Sequence, residues 1–131
     1  MRHSTIALII MSLVGCAAQP GPTRSDAIAD FIVVADLEEQ DAVQTAGRFH
    51  YTYLTERYVI LETRKDKFLV QFRRRCSALN ETRVPPDVRH GNTIRARFDT
   101  IRGCRIDQIY TVDEGQAQEL ENIGRAPGDD T

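Results

Sequence analysis

The run "RYVILETRKDKFLVQFR", residues 57–73, constrains the fold more than any other stretch. Two segments rich in β-branched and aromatic residues flank a polar Lys65-Asp66 step, the pattern of two strands joined by a turn. In the second segment Phe68, Val70 and Phe72 alternate with Lys67, Leu69, Gln71 and Arg73, so a strand there sends the first set into a core and the second set outward. A hairpin with one apolar face needs more strands to be stable. Candidates stand on either side: "FHYTYL" at 49–54, "TIRARFD" at 93–99 and "CRIDQIY" at 104–110. In the second of these Ile94, Ala96 and Phe98 alternate with Arg95 and Arg97, which reads as a half-buried strand with a basic outer face. Residues 76–93 hold a Pro-Pro pair and a Gly-Asn step, so they read as a long loop with a short helical turn at its start.

The ends are helical in character. "SDAIADFIVVADL" opens with Ser25 as an N-cap and Asp26 in the first turn. Ile28, Phe31, Ile32 and Ala35 keep helical spacing, whereas "FIVV" is β-branched, so a short helix passing into a strand near Phe31 is expected. Near the other end Asp113 and Gln116 have the spacing of a capping box, Ala117, Leu120 and Ile123 form a narrow apolar stripe, and Gly124 supplies a stop. The expected fold class is α+β, mostly β: a small antiparallel sheet or half-barrel with short terminal helices and one disulfide.

The first residues set the address. Arg2 precedes an uncharged segment at 6–14, the layout of a secretory signal, and the segment is too short to cross a bilayer. Leu13-Val14-Gly15-Cys16 then resembles the lipobox of bacterial lipoproteins, in which a small residue lets a peptidase reach the bond before a cysteine that accepts lipid. An ordinary secretory signal that carries a cysteine is the alternative. The expected organisation is a lipoprotein signal peptide at 1–15, a lipid anchor and flexible linker at 16–24, a single small envelope domain at 25–124 and a disordered tail at 125–131. Several acyl chains on Cys16 hold a protein at a membrane far better than one. Ala17 stands where an Asp would favour retention at the inner membrane, so the expected location is the periplasmic face of the outer membrane.

Cleavage before Cys16 leaves 116 residues, enough for one domain with a modest core. It also leaves Cys76 and Cys104, an even pair in a compartment where thiols are oxidised, so a bridge between them is expected. A reactive Cys76 thiol, activated by Arg73, Arg74 and Arg75, is the alternative. The mature chain carries 16 basic against 19 acidic side chains, but unevenly. Residues 48–105 have a net charge of +8, residues 24–41 of −5 and residues 106–131 of −6. Acidic ends packed beside a basic middle are one account, and an exposed basic face for an anionic partner is the other.

Three stretches carry a family resemblance: "ILETRKDKFLVQFRRRCSAL", where a hairpin leads into cysteine and leucine, "IRARFDTIRGCRIDQIY", where Phe-Asp and a turn precede the second cysteine, and the closing "DEGQAQELENIG". Over residues 28–124 the chain resembles small lipoproteins of Gram-negative bacteria classed only as a domain of unknown function. The resemblance implies an envelope lipoprotein with paired Cys76 and Cys104, and it carries over no catalytic residue.

Chemical motifs are sparse. His50 and His90 have no partner at ligand spacing, so no metal and no cofactor are expected. Ser77, His90 and Asp99 could be drawn as a triad, but no nucleophile elbow or glycine-rich oxyanion loop accompanies them. Glu56 and Glu62 could share a strand face, which more commonly is a solvated surface. Arg73, Arg75, Arg95 and Arg97 form the candidate anion-binding strip, if their strands lie side by side with these side chains outward. The expected function is a non-catalytic binding or structural accessory of the envelope, attached to the membrane through Cys16 and facing an anionic envelope component or an envelope protein. Nucleic acid is excluded mainly by location. A small envelope hydrolase with its site near 76–104, using Asp99 or His90, is the alternative function.

Overall fold

A computed structural model describes residues 22–45, 49–80 and 92–125. Helix α1, Arg24–Val34, is followed by strands β1, Glu39–Gln40, β2, Ala42–Gln44, β3, His50–Thr55, β4, Tyr58–Glu62, and β5, Lys67–Phe72. A 3-10 turn at Ser77–Asn80 precedes β6, Thr93–Arg95, β7, Thr100–Ile101, β8, Cys104–Val112, and helix α2, Glu114–Asn122. The fold is mostly β, its strands pairing antiparallel.

The hairpin at the centre of the sequence is the centre of the sheet. β4 and β5 pair through Tyr58↔Gln71 to Glu62↔Lys67, and the Thr63 hydroxyl both donates to the Asp66 carbonyl and accepts from its N–H, closing the turn. The strand order is β1-β8-β5-β4-β3, with β7 also on β8, while β2 and β6 form a separate two-stranded sheet. β8 is therefore paired along both edges. β5 lies on one side, and β1 and β7 share the other.

Burial is two-sided, which corrects the expectation of one core face on β5. Phe68, Val70 and Phe72 pack with Val59, Leu61, Ile106 and Ile109 beneath the β2–β6 sheet and Leu79. Leu69, expected outward, is fully buried on the opposite face with Ile28 of α1, Ile60, Tyr110 and Leu120 of α2. The helices cover that face because their apolar residues have no other surface to bury against. A register shift between Gln71 and Phe72 lets Ile106 and Ile109 of β8 reach the same side.

Three local readings change. α1 runs as one helix to Val34, with no strand at 31–34, because tertiary packing of Ile28, Phe31 and Ile32 outweighs the β preference of the run. Its N-cap is Thr23 and not Ser25: the Thr23 hydroxyl and the Asp26 carboxylate close a reciprocal box. The third change is at 93–99, where the strand ends at Arg95. The Asp99 carboxylate accepts the Arg95 N–H at 2.6 Å, Arg97 takes a left-handed φ of 68°, and Phe98 is left 74 % exposed outside the core. The capping box of α2 forms between Asp113 and Gln116 as the spacing indicates. Gly124 then adopts a φ of 70°, and a Cβ there would stand 3.0 Å from the Arg24 side chain. That close approach is needed, since Arg24 donates to the carbonyls of Leu54, Glu121 and Ile123 and so ties α1, β3 and the end of α2 together. Partial burial lowers the pKa of its guanidinium, with Arg125 nearby adding to the effect.

Candidate functional site: a groove of arginines at the disulfide

Antiparallel pairing brings the end of β5 beside the start of β8. The ladder continues one step past β5, where the Arg73 N–H donates to the Arg105 carbonyl at 3.0 Å. The chain then bends away through Arg74 and Arg75, and the Cys76 N–H donates to the Glu56 carbonyl in the β3–β4 turn. On the β8 side, β7 and β8 are joined by Arg102-Gly103, with φ of 52° and 80°. Two consecutive positive φ values are the signature of a type I′ hairpin turn, which favours glycine at its second position. This turn delivers Cys104 opposite Cys76. Their Cα atoms lie 6.1 Å apart and the two are bridged, across a sequence separation of 28.

The bridge sits in an open groove of about 400 Å³ lined by Arg73, Arg74, Arg75, Cys76, Gly103, Cys104 and Arg105. Four guanidinium-bearing residues thus converge on a space the size of a small-ligand site. Arg75 pairs with Glu56 at 2.9 Å, and Arg105 donates to the Arg97 carbonyl at 3.3 Å. Among the described residues Arg73 and Arg74 have no ion-pair partner, and both are exposed. A Cβ built on Gly103 would meet nothing within 4 Å, so the groove is open above the turn.

The residues expected to form one basic strip are divided. Arg73 and Arg75 belong to the groove, whereas Arg95 is on β6, which pairs with β2 and not with β5. Arg97 lies in the turn after β6 and pairs with Asp41 at 3.1 Å. Arg74, named only beside the Cys76 thiol, and Arg105 were not among the residues expected in the strip. The signal for Arg105 was the adjacency to Cys104: once the two cysteines are bridged, the residues beside them must be neighbours. Asp99 is spoken for by the Arg95 N–H in the 95–99 turn, which is a structural task. Cys16 and His90 lie outside the described residues.

A second cleft shares a wall with the groove. It is lined by Thr23, Arg24, Ser25, Tyr53, Leu54, Thr55, Glu56 and Arg75. The start of α1 therefore stands at the groove end of the sheet, with Arg75 common to both clefts. At the opposite end, Lys67 pairs with Glu114 at 2.9 Å, and that contact raises the Lys67 pKa.

Among the described residues no helix is long and apolar enough to cross a membrane, and no group of three or more His, Cys, Asp or Glu is placed to hold a metal ion. No curated protein and no solved structure matches the chain. The family of unknown function DUF6491 matches residues 1–127, a span that takes in the apolar run, Cys16, the hairpin, both bridged cysteines and α2. The chain belongs to that family.

Proposed function

We propose that the chain is a lipid-anchored, non-catalytic binding or structural accessory of the Gram-negative cell envelope, held through Cys16 at the periplasmic face of the outer membrane. The observation that carries the binding role is the groove itself: Arg73, Arg74, Arg75 and Arg105 around a disulfide, with a cavity of about 400 Å³ between them. Clustered guanidinium forks are suited to phosphate and carboxylate groups, and an envelope surface offers both. The anchor is supported by the lipobox-like Leu13-Val14-Gly15-Cys16 and by a family match that extends from residue 1 through it. An oxidising compartment also suits a bridged Cys76 and Cys104.

Fractionation of cells expressing the full chain tests the anchor. Wild type is expected with outer membranes, and Cys16→Ser is expected to lose acylation and leave that fraction. Unacylated, freely soluble wild-type protein would defeat the anchor, while acylated protein in the inner membrane would defeat only the sorting. His90→Ala and the double variant Arg73→Gln/Arg74→Gln separate binding from hydrolysis where a deletion phenotype exists. The binding role expects the arginine variant to lose function and His90→Ala to keep it, and the reverse result favours a hydrolase.

A further inference from the structure

We infer that the arginine groove is a site for paired phosphate groups, and that its placement beside the start of α1 aims it at the phosphates of the membrane surface. The inference rests on the binding role proposed above and names its ligand class. Charge comes first. The groove walls carry Arg73, Arg74, Arg75 and Arg105, and the carboxylate of Glu56 on Arg75 offsets one of them. About three positive charges remain around one small cavity. A single carboxylate neutralises one, and a peptide would need several acidic residues spread along its length to neutralise the rest. Two phosphate groups bring about two negative charges as lipid phosphodiesters and about three as pyrophosphate, all within a few ångströms, and they offer many acceptor oxygens to guanidinium forks.

Position comes second. Thr23, Arg24 and Ser25 share a cleft with Arg75, so the chain leading back to Cys16 enters the domain next to the groove. Seven residues separate Cys16 from Thr23 inclusive of the latter, a reach of at most about 24 Å even when fully extended. A lipid on Cys16 therefore keeps Thr23 within that distance of the headgroups and the neighbouring groove close to them, where tethering raises the effective concentration of the phosphates. Basic pockets close to a membrane surface bind phosphate headgroups by the same electrostatics. At the opposite end of the sheet Lys67 is engaged by Glu114.

The test is titration calorimetry on the full-length protein in a neutral detergent, with inorganic pyrophosphate as the soluble probe and cardiolipin-doped micelles as the lipid probe. Arg73→Gln/Arg74→Gln removes two groove charges, and Arg64→Gln/Lys65→Gln removes two charges from the β4–β5 turn at the other end of the sheet. Pyrophosphate affinity is expected to fall at least tenfold in the first variant and less than twofold in the second. Cardiolipin is expected to compete with pyrophosphate, which identifies the headgroup as the source. Pyrophosphate binding that cardiolipin leaves unchanged still supports the paired-phosphate site but overturns its aim at the membrane. Equal loss in both variants, or no binding of either probe by folded wild type, overturns the site. Release of the wild-type chain from membranes would defeat the anchor without altering the pyrophosphate titration, so the two failures are distinguishable.

Discussion

Arg73 donates its backbone N–H to the carbonyl of Arg105 at 3.0 Å, one residue beyond the last strand position of β5 and one residue into β8. This single step joins segments 32 residues apart in sequence and fixes two of the groove's four arginines against each other. The disulfide between Cys76 and Cys104 closes the same junction from outside the ladder. Charge repulsion among the arginines opposes their gathering, and the ladder and the bridge oppose the repulsion.

The bridge should therefore hold both the fold and the groove. A loop of this length contributes about 3–4 kcal/mol on the chain-entropy account, and losing a native bridge from a small secreted domain costs about 2–5 kcal/mol. Cys104→Ser is expected to lower unfolding stability within that range by urea titration. Peptide mapping without reductant should recover Cys76 and Cys104 as one linked peptide. Two freely alkylated thiols in protein isolated without reductant would contradict the pairing.

Leu69 separates a two-sided sheet from a one-sided one. It is fully buried against Ile28, Ile60 and Leu120, so Leu69→Ala should cost about 2–5 kcal/mol, as for truncation in a packed core. A sheet with that face open to solvent would lose less than about 0.5 kcal/mol from the same change. Denaturant midpoints at constant slope distinguish the two outcomes.

The capping box of α1 makes a pH-dependent contribution. The Asp26 carboxylate accepts from the Thr23 hydroxyl at 2.8 Å and from the Thr23 backbone N–H at 3.0 Å, and these bonds hold its pKa below the ordinary value of 3.8. Because the folded value is the lower one, the contribution is complete above pH 3.8 and disappears as pH falls through the folded pKa. Asp26→Ala should be less stable than wild type at neutral pH, and the gap should close in acid. A gap that stays constant down to pH 2 would assign the loss to something other than the carboxylate.

The hairpin, the capping box of α2 and the disulfide were legible because each is a local pattern or follows from the even pair of cysteines left once Cys16 is set aside. What escaped the sequence depends on long-range placement. Leu69 lies between Phe68 and Val70, and a run buried on both faces does not show which helices will cover the second. Phe98 kept strand alternation on paper, but the Asp99 carboxylate captured the Arg95 N–H and turned the chain out. The arginine site was half legible. Arg73 and Arg75 were visible as a run, whereas Arg105 joins them through the bridge at its neighbour Cys104 and the pairing of β5 with β8, and Arg95 leaves them because β6 pairs with β2.

The proposed anchor and envelope role depend most directly on what Cys16 carries. Intact-mass and peptide analysis of the protein extracted from membranes should give a chain whose first residue is Cys16, bearing a thioether-linked diacylglyceryl group, with Cys76 and Cys104 linked in the same molecule. A chain that retains residues 1–15, or that begins after Cys16 with no lipid, would contradict it.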